Sequence, residues 1–537
     1  MDRQPFRGFS KGWRVDVPAG ALRLAGIGHL VLLIDPAFPN SQLRIFAPGA
    51  GENFRWPHVE PGEKLCLRPT RCLAAVSDRV ATHIADGLEL LNFSDDQCRQ
   101  DFEREFVSYW AQRATQSVEE DNVFSLVTPG STTREAVYHV DERFKRYVLA
   151  EDKTTLERWL RNTGANPGAK ELFPTWVLRL RRPWIPSEYP EQGVDITKLL
   201  PANMLQRCLI PGRPTPMLVE APTATGTAYV AVVIHGADQK ALVKGFRSIA
   251  RVPFDRIVGS YNNRPVERRR AVRVDGAWIH GRDHPSTFAE VKNRKIAIVG
   301  CGAIGSEIAN LLARAGVGEQ IFVDGDKLSS ANVARHALGI SYMAINKALG
   351  MRSMLRRRLP HLTFEHAFDK RFESLNRLEL EWLQSCDLVI SAGIDFDGEA
   401  ALNEWRKALP RPPAHLSCWV EAFGLAGHAV LLYGNRSLLA GFDDNERPSF
   451  RLTDWSNGVA TLIAEAGCGN SFQPHGIVDL QPTVAMASSL ALDALSGRVL
   501  KSCRRAWMGD RTEVIRKGGE ARADFTERSA VREFAWP

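Results

Sequence analysis

Glycine and aspartate residues in the second half of the chain have the types and spacing of a nucleotide site. The apolar run Ile296–Val299 leads into Gly300-Cys301-Gly302-Ala303-Ile304-Gly305, and a helical pattern follows at once. Glycines permit a tight turn close to phosphate, and the free N–H groups of a helix N-terminus can bind anionic oxygen. The next predicted strand ends in Asp324-Gly325-Asp326, where a carboxylate can accept hydrogen bonds from ribose hydroxyls. These features alone fit an NAD-binding fold equally well.

Three polar residues downstream favour ATP chemistry over hydride transfer. Asn332 and Arg335 follow the aspartates, and Lys347 begins another predicted helix. A hydride-transfer cofactor has no need of these residue types in this order. A site where a carboxylate attacks the α-phosphate of ATP does need them, because they neutralise the triphosphate and the charge that develops in the transition state. The alternative is that Arg335 and Lys347 are ordinary surface charges.

A second candidate site is a cysteine early in the chain. The segment Trp56-Pro57-His58-Val59-Glu60-Pro61-Gly62-Glu63-Lys64-Leu65-Cys66-Leu67 contains turn-forming prolines and a glycine, so Cys66 is predicted on an extended stretch after a tight loop. His58 could fold back near Cys66, where a polar group can stabilise an oxyanion or orient an amine at a thioester. The alternative is a buried structural cysteine.

The elements that must position the nucleotide residues alternate between strand and helix from about residue 286 to 510. This alternation predicts an α/β fold with a parallel sheet covered on both faces. The predicted strands are Lys295–Val299, Gln320–Val323 and Asp387–Ser391, and the predicted helices are Ile304–Ala315, Lys347–Leu359 and Val484–Leu495.

Three further parts complete the predicted organisation. Residues 1–120 contain short strands, His29–Ile34 and Gln42–Phe46, followed by a helix over Arg79–Leu91. Residues 121–285 have mixed signals, with strands over Trp176–Leu180 and Ala228–Ile234, Pro-rich stretches between them and no catalytic motif. Residues 511–537 form a highly charged tail that we expect to be loosely ordered.

Composition places the chain among ordinary globular proteins. Its 537 residues are 44% hydrophobic and 24% charged, with a net charge of +7. The N-terminus has no apolar core segment, and no apolar run approaches the length of a membrane span. Nine cysteines without a C-x-x-C pair argue against a disulfide framework or a zinc ribbon. We therefore expect a cytoplasmic protein that binds neither membrane nor nucleic acid.

The motifs GCGAIGSE, DGD and NVARH, followed by Lys347, resemble the ThiF-like family, which includes ubiquitin-activating enzymes and sulfur-carrier adenylyltransferases. The resemblance implies a Rossmann-like adenylation domain that uses ATP and Mg²⁺ and is usually a homodimer. It implies that Asp324 or Asp326 holds the ribose. It also implies that Asn332, Arg335 and Lys347 hold phosphates.

The same resemblance, which covers roughly residues 290–500, implies a magnesium-binding acid after a later strand. Asp395 is the first choice for this ligand and Asp397 the second. Two positions depart from the family pattern. Phe396 stands where relatives commonly have Asn, and His336 stands where many have Gln. The alternative for the acids is that they cap the next helix.

Ubiquitin-activating enzymes pass the acyl group from the adenylate to a cysteine, and Cys468 is our candidate for it. It lies in Glu465-Ala466-Gly467-Cys468-Gly469-Asn470, which resembles the crossover loop that carries the catalytic cysteine in bacterial activating enzymes. A thioester nucleophile needs exposure and a lowered pKa. The other cysteines in this part are expected to be packing residues or to lie outside the matched region: Cys301, Cys386, Cys418 and Cys503.

The segment around Cys66 resembles ubiquitin-conjugating enzymes, which carry His-Pro-Asn before the nucleophilic cysteine and Leu after it. Pro57 keeps the middle position, His58 takes the place of Asn and Trp56 that of His. The resemblance spans roughly residues 10–115 and implies an α+β conjugating-enzyme-like domain.

A conjugating-like domain, a linker domain and a ThiF-like domain in one chain resemble the bacterial fusion proteins of CBASS antiphage defence. The resemblance implies that a ubiquitin-like protein, or another protein C-terminus, is adenylated and passed to Cys468, then to Cys66, then to an amine of an acceptor protein. Three alternatives remain open: a sulfur-carrier adenylyltransferase, a nicotinamide-dependent oxidoreductase, and a non-catalytic scaffold with a degenerate conjugating fold.

Overall fold

The computed structural model describes most of the chain, and within it the chain divides into two units. The described residues are 8–51, 54–70, 74–114, 122–142, 146–165, 168, 171–281, 285–456, 458–464 and 471–536. The first unit comprises residues 1–156 and 168–273, and the second comprises residues 157–167 and 274–537. Among the described residues, no helix combines the length and the apolar character needed to cross a membrane.

The first unit begins with a three-stranded antiparallel sheet in the order β1-β2-β3. The alternating pattern of β2 buries Leu30 and Leu32, which pack with Ile45 of β3 and Leu91 of the first helix. The bounds are β1 (Lys11–Asp16), β2 (His29–Ile34), β3 (Arg44–Phe46), α1 (Val76–Leu91), α2 (Asp95–Arg104) and α3 (Phe106–Arg113). The predicted strand at His29–Ile34 has these bounds in the structure.

The rest of the first unit is built around a closed seven-stranded barrel in the order β10-β4-β6-β5-β7-β8-β9. Its bounds are β4 (Val123–Ser125), β5 (Arg134–Asp141), β6 (Arg146–Ala150), β7 (Phe173–Arg179), β8 (Thr215–Thr223), β9 (Gly226–Ile234) and β10 (Glu267–Arg273). The helices in this stretch are α4 (Lys153–Asn162), whose residues from 157 onward belong to the second unit, α5 (Gly193–Thr197), α6 (Ala202–Cys208), α7 (Gln239–Val243) and α8 (Phe254–Asn262). The prolines that broke up the sequence pattern concealed a regular barrel.

The second unit contains an eight-stranded sheet in the order β13-β12-β11-β14-β15-β16-β20-β22. Its strands are β11 (Lys295–Val299), β12 (Glu319–Val323), β13 (Ala367–Phe368), β14 (Leu388–Ala392), β15 (Ala414–Val420), β16 (Ala426–Leu432), β20 (Cys503–Met508) and β22 (Ala530–Ala535). Two small sheets pair β17 (Thr453–Trp455) with β21 (Gly519–Ala521) and β18 (Ile463–Ala464) with β19 (Ser471–Phe472). The helices are α9 (Gly276–Gly281), α10 (Pro285–Val291), α11 (Ala303–Arg314), α12 (Lys347–Arg358), α13 (Arg377–Gln384), α14 (Phe396–Lys407), α15 (Ile477–Leu495) and α16 (Arg511–Arg516).

The first five strands of this sheet are parallel, which confirms the predicted α/β Rossmann-like arrangement. Their continuous apolar runs are buried because helices cover both faces, as expected of parallel strands. Strand β11 pairs with β12 on one side and β14 on the other, so the strand order reverses there. A crevice opens at the carboxyl ends of the strands at such a point, and ligands of open α/β sheets bind in it.

The charged segment 511–537 differs from the loosely ordered tail expected from the sequence. It contains α16, β21 and β22, and β22 pairs with β20 over six residues. An ion pair between Arg505 and Glu533 crosses this pairing at 2.8 Å, and Trp536 is buried against Phe450. The high charge of the segment obscured an edge strand whose charged side chains face solvent or pair across the ladder.

Because Gly305 has no side chain, α11 can approach β11 closely, and a substitution at Gly305 tests this contact. A Cβ at Gly305 would lie 1.9 Å from the Gly300 carbonyl oxygen, whereas a Cβ at Gly302 would meet nothing within 4 Å. We predict that Gly305→Ala lowers the free energy of unfolding by about 1–3 kcal/mol, although alanine normally stabilises a helix relative to glycine. Thermal unfolding of Gly305→Ala and of the control Gly302→Ala measures this. Equal melting temperatures for the two variants would contradict the packing argument.

Candidate functional site

A cleft of about 200 Å³ lies at the carboxyl ends of β11, β12 and β14, where the strand order reverses. It brings together six of the residues predicted from the sequence: Gly300, Gly302, Asp324, Asp326, Lys347 and Asp395. The other lining residues are Val299, Val323, Gly325, Lys370, Arg371, Phe372, Glu373, Ala392, Gly393, Ile394 and Gly398. The cleft therefore combines a glycine loop with several charged groups of both signs.

The glycine loop makes a tight turn between β11 and α11. Gly300 has φ +85°, a left-handed conformation that glycine adopts without strain, and a Cβ there would lie 2.8 Å from the Ala392 carbonyl oxygen. Gly302 is the N-cap of α11, and it faces open space. The first N–H groups of a helix have no partner within the helix, so this end of α11 offers donors to an anion.

Asp324 and Asp326 have different surroundings. Asp324 accepts hydrogen bonds from the Cys301 N–H at 2.7 Å and the Asp326 N–H at 2.8 Å, so it holds the loop in place. Burial raises the pKa of Asp324, and the positive charge of Lys347 opposes this. Asp326 is exposed, and one of its carboxylate oxygens lies 2.9 Å from the Lys347 Nζ atom.

Lys347 is positioned by the first turn of α12. Its side chain is 11% exposed, and Lys347 lines the cleft. The preceding residue, Asn346, caps α12 by accepting from the Leu349 N–H, and its amide donates to the carbonyl oxygens of Asp324 and Asp326 at 2.7 and 3.1 Å. Asn346 therefore ties the start of α12 to the end of β12, a role that sequence reasoning missed.

Two basic residues and one acid in the cleft were also missed. Lys370, Arg371 and Glu373 follow β13, the outermost parallel strand, and all three line the cleft. The Asp369-Lys370-Arg371 sequence after a short strand was the available signal, because the carboxyl ends of parallel strands meet at one edge of a sheet. The strand itself has only two residues, too few to recognise from a pattern.

Asp395 lines the cleft and also caps α14. One of its carboxylate oxygens accepts from the Gly398 N–H at 3.0 Å, and the other lies 2.5 Å from the Arg371 guanidinium. Burial acts to raise the pKa of Asp395, but these two partners outweigh it and the pKa is lowered. The capping alternative therefore describes the contacts of Asp395, while Asp397 lies in the first turn of α14 and does not line the cleft.

Three predicted site residues do not line the cleft in this structure. Gly305 acts through its close packing on Gly300. Asn332 and Arg335 lie on a short 3-10 helix, Ser330–Arg335. The Asn332 side chain accepts from the Ser329 hydroxyl at 2.9 Å, and Arg335 donates to the Ala331 carbonyl oxygen at 2.9 Å. Both side chains are therefore engaged within their own turn.

His336 lies at the end of this turn and holds the backbone of the glycine loop in place. Its Nε2 atom lies 2.6 Å from the Cys301 carbonyl oxygen, and its Nδ1 accepts from the Leu338 N–H at 3.0 Å. These partners assign the proton to Nε2, and burial lowers the pKa of His336 to about 4. A glutamine, the residue that the resemblance leads one to expect here, also carries an N–H donor for this carbonyl.

The cysteines of the second unit separate into two groups. Cys301, Cys386, Cys418 and Cys503 are buried. Burial raises the pKa of Cys418 and of Cys386, which makes both thiols poor nucleophiles. Cys468, the predicted thioester nucleophile, lies outside the described residues.

Cys66 is exposed on a tight loop of the first unit, beside a large cleft. The Cys66 N–H donates to the His58 carbonyl oxygen at 2.8 Å, so the chain folds back between these residues as predicted. Trp56, at the start of the loop, donates its indole N–H to the Leu90 carbonyl oxygen at the end of α1. His58 and Cys66 both line a cavity of about 940 Å³.

His58 is held by a hydrogen-bonded network from α2 and α3. Its Nε2 atom lies 2.9 Å from the Asp101 carboxylate, and its backbone N–H donates to the Tyr109 hydroxyl at 2.9 Å. Burial acts to lower the pKa of His58, but the hydrogen bond and charge of Asp101 outweigh it and the pKa is raised. Burial and the nearby Glu60 carboxylate raise the pKa of Cys66, so this thiol has the exposure but not the lowered pKa expected of a thioester nucleophile.

Comparison with known proteins relates the nucleotide cleft of the second unit to a known family. Residues 283–491 match the ThiF family over the whole of the glycine loop, the cleft acids and Lys347. We call this matching segment, residues 283–491, the ThiF domain. The resemblance predicted from the motifs is thereby confirmed.

Curated relatives extend the likeness beyond the ThiF domain. The Pseudomonas aeruginosa protein named ATP-dependent ubiquitin transferase-like protein Cap2 is 28% identical over 310 residues, which are 56% of this chain and 52% of that protein. The chain thus spans about half the length of this relative. Mouse ubiquitin-like modifier-activating enzyme 5 is 32% identical over 161 residues, which are 28% of this chain and 40% of that protein.

Among solved structures, Escherichia coli MccB with ATP aligns over 46% of this chain and 65% of its own, at 14% identity and a TM-score of 0.33.

The buried His336 gives a pH-dependent test of the ThiF domain. Because the pKa of His336 is about 4 in the folded chain and 6.5 when unperturbed, the unfolded chain binds this proton first as the pH falls. The stabilisation by neutral His336 is therefore complete above pH 6.5 and is lost towards pH 4. We predict that the melting temperature of His336→Gln falls less than that of the unmodified chain between pH 7.5 and pH 5.

Calorimetric melting of both proteins at the two pH values makes this comparison, and the other histidines act equally in each. Parallel losses of melting temperature would show that His336 does not titrate in this window.

Proposed function

We propose that the chain is an ATP-dependent enzyme that adenylates the C-terminal carboxylate of a protein and transfers the acyl group to an amine. The observation that carries this proposal is the cleft of the ThiF domain, where a glycine loop and a helix N-terminus face Lys347, Lys370 and Arg371. Four carboxylates also line the cleft, and three of them pair with Lys347 or Arg371, where a triphosphate and its metal ion could replace them. Together with the free N–H groups, the three cations suit a triphosphate better than a nicotinamide.

The cleft supports a specific orientation of ATP. The phosphates would lie at the N-terminus of α11 over Gly302, within reach of Lys347. Asp326 is our ribose ligand, because it is exposed whereas Asp324 already accepts two backbone N–H groups. Asn332 and Arg335 stay predicted phosphate ligands, and Arg335 would have to leave the Ala331 carbonyl to reach the cleft.

The carboxylates at the other side of the cleft fit a magnesium ion. Asp395 and Glu373 both contact the Arg371 guanidinium, at 2.5 and 3.0 Å, so their oxygens already converge on one positive group. Mg²⁺ is usually held by one or two carboxylates together with substrate phosphates. Asp395 and Glu373 would hold it, and the bound ion would neutralise the charge of the departing pyrophosphate.

The chemistry proposed for the cleft needs no protein base. A carboxylate oxygen of the carrier's C-terminus attacks the α-phosphorus of ATP, a new O–P bond forms, and the bond to pyrophosphate breaks. The attacking carboxylate is already ionised at neutral pH, so catalysis consists of positioning and of neutralising charge. Lys347 supplies a positive charge. Its side chain is only 11% exposed, so solvent screens this charge less than it would at the surface.

Two transfers would follow the adenylation. The Cys468 thiolate displaces AMP to form a thioester, and the Cys66 thiolate then displaces the Cys468 thiolate. An acceptor amine attacks the Cys66 thioester and loses a proton as the C–S bond breaks, which gives an amide and the Cys66 thiolate. His58 would accept that proton, because the neighbouring Asp101 carboxylate raises the pKa of the His58 imidazole.

The wider setting of the proposal comes from its relatives. The name of the Pseudomonas aeruginosa Cap2 protein describes an ATP-dependent ubiquitin transferase-like activity. We propose a ubiquitin-like conjugation of that kind in bacterial antiphage defence, by a cytoplasmic homodimer. Residues 1–120 would be the conjugating-like domain, 121–285 the linker domain and 286–510 the activating domain.

Loss of the cleft lysine tests the adenylation step. We predict that Lys347→Ala lowers release of AMP and pyrophosphate from ATP about 10²-fold, because the charge that stabilises the transition state is removed. The assay mixes the chain, ATP and Mg²⁺ with each protein encoded beside its gene. Lys292→Ala is the matched control. Lys292 is exposed and lies just before the N-terminal end of β11, whereas the cleft is at the carboxyl end of that strand. Equal losses in both variants would rule out a specific role for Lys347.

Separate removal of two cysteines tests the transfer steps. In gels run with and without reductant, we predict that Cys468→Ala abolishes a reductant-sensitive adduct with the carrier. Cys66→Ala should keep that adduct and lose only the stable conjugate. If AMP is released but no adduct forms with any neighbouring protein, the thioester relay is wrong and sulfur-carrier adenylation becomes the better account.

A further inference from the structure

The barrel has no part in the proposed chemistry, yet its hydrophobic packing continues into the helices beside Cys66. Phe106 and Trp110 of α3 belong to the same buried cluster as Trp176 and Val230 of the barrel strands. The Trp110 indole N–H donates to the Arg269 carbonyl oxygen of β10 at 2.8 Å, and its ring stacks on Trp184. Helix α3 is therefore fixed to the barrel.

Tyr109, the residue next to Trp110, contacts the loop that carries Cys66. The Tyr109 hydroxyl accepts the backbone N–H of His58 at 2.9 Å and lies 3.3 Å from the Asp101 carboxylate. His58 has φ +56°, a conformation that a non-glycine residue keeps only when its surroundings hold it. One helix thus connects the barrel packing to the loop that carries Cys66.

The barrel also supplies a wall of the 940 Å³ cavity beside Cys66. The tip of the β8–β9 hairpin, residues 222–224, lines this cavity together with Arg182 and Pro183. Helix α1 lines it with Asp86 and Glu89. The cavity at Cys66 is therefore bounded by the N-terminal sheet-and-helix part and the barrel together.

The charges of this cavity favour a cation. Its lining includes five carboxylates and three guanidinium groups. Arg182 is held by Glu188 through two hydrogen bonds of 2.6 and 2.8 Å, and Arg104 pairs with Asp101 and Glu105. Arg68 is then the one guanidinium group of the lining without an ion pair to a described residue. Asp86 and Glu89 form no ion pair with any residue that the structure describes. Uncompensated carboxylates within a recess attract cations more strongly than the same charges on an open surface.

We propose that the barrel completes the site at Cys66, and that the acceptor amine enters as an ammonium group between the α1 carboxylates and the β8–β9 hairpin. The ammonium group gives one proton to water, and the neutral amine then attacks the thioester. The middle part of the chain is then the element that selects the acceptor. This rests on the proposed function of Cys66 as the transfer cysteine. The cavity itself can be tested without ATP, carrier or acceptor, so its failure and the failure of the proposed function are distinguishable.

The charge of the cavity is measured by alkylating Cys66 in the full chain at low salt with a cation, 2-bromoethylammonium, and an anion, iodoacetate. Mass spectrometry of the Cys66 peptide gives both rate constants, each divided by that of a free cysteine peptide. Their ratio is independent of the thiolate fraction. We predict that Asp86→Asn/Glu89→Gln lowers the cation-to-anion ratio at least about tenfold.

The matched control is Asp96→Asn/Glu142→Gln, which removes the same charge at exposed positions that do not line the cavity. Its ratio should equal that of the unmodified chain. If both double variants change the ratio equally, or if neither changes it, the cavity does not select for a cation and the proposal is overturned.

The hairpin wall is tested by two neighbouring substitutions at its exposed tip. Ala224 lines the cavity, whereas Thr225 does not. Ala224→Trp should slow alkylation of Cys66 by N-ethylmaleimide several-fold, and Thr225→Trp should leave it unchanged. Both variants should have the same melting temperature as the unmodified chain, because the tip is exposed. Equal alkylation rates in the two variants would show that the barrel does not bound the site.

Discussion

The nucleotide cleft depends on the close approach of one helix to one strand. Because Gly305 has no side chain, α11 lies against the Gly300 carbonyl, where any Cβ would be 1.9 Å away. That contact directs the free N–H groups of α11 to the edge where β11, β12 and β14 end. Asp324 then ties the loop to β12, Asn346 ties β12 to α12, and α12 presents Lys347. The position of Lys347 therefore depends on Asn346 and Asp324, and through them on the contact at Gly305.

Charge pairing prepares this cleft for a polyanion. Lys347 is bonded to Asp326, and Arg371 to both Glu373 and Asp395. The lysine and arginine are thus held at defined positions by groups that a triphosphate and its metal ion can replace. In the proposed function, this arrangement would limit the reorganisation needed on ATP binding, and such preorganisation is usually the largest single contribution to catalysis.

The sequence predicted the parallel sheet well because its strands are continuous apolar runs and its glycine loop has a distinctive spacing. It also indicated that His58 could fold back near Cys66, since the prolines and the glycine of this segment favour turns. It could not reveal Arg371, because the strand before it has two residues, nor the barrel, because prolines interrupt its pattern. The place of Asp101 beside His58 depends on tertiary packing of α2, which no local pattern encodes.

The central claim is that the ThiF cleft binds ATP rather than a nicotinamide cofactor. Isothermal titration of the intact chain with ATP and Mg²⁺, and separately with NAD⁺, tests it most directly. The account predicts saturable binding of ATP at the cleft, weakened by Gly302→Ala, which fills the space over α11 without disturbing the fold, and no competition from NAD⁺. Tighter binding of NAD⁺ than of ATP, or unchanged ATP binding in Gly302→Ala, would contradict it.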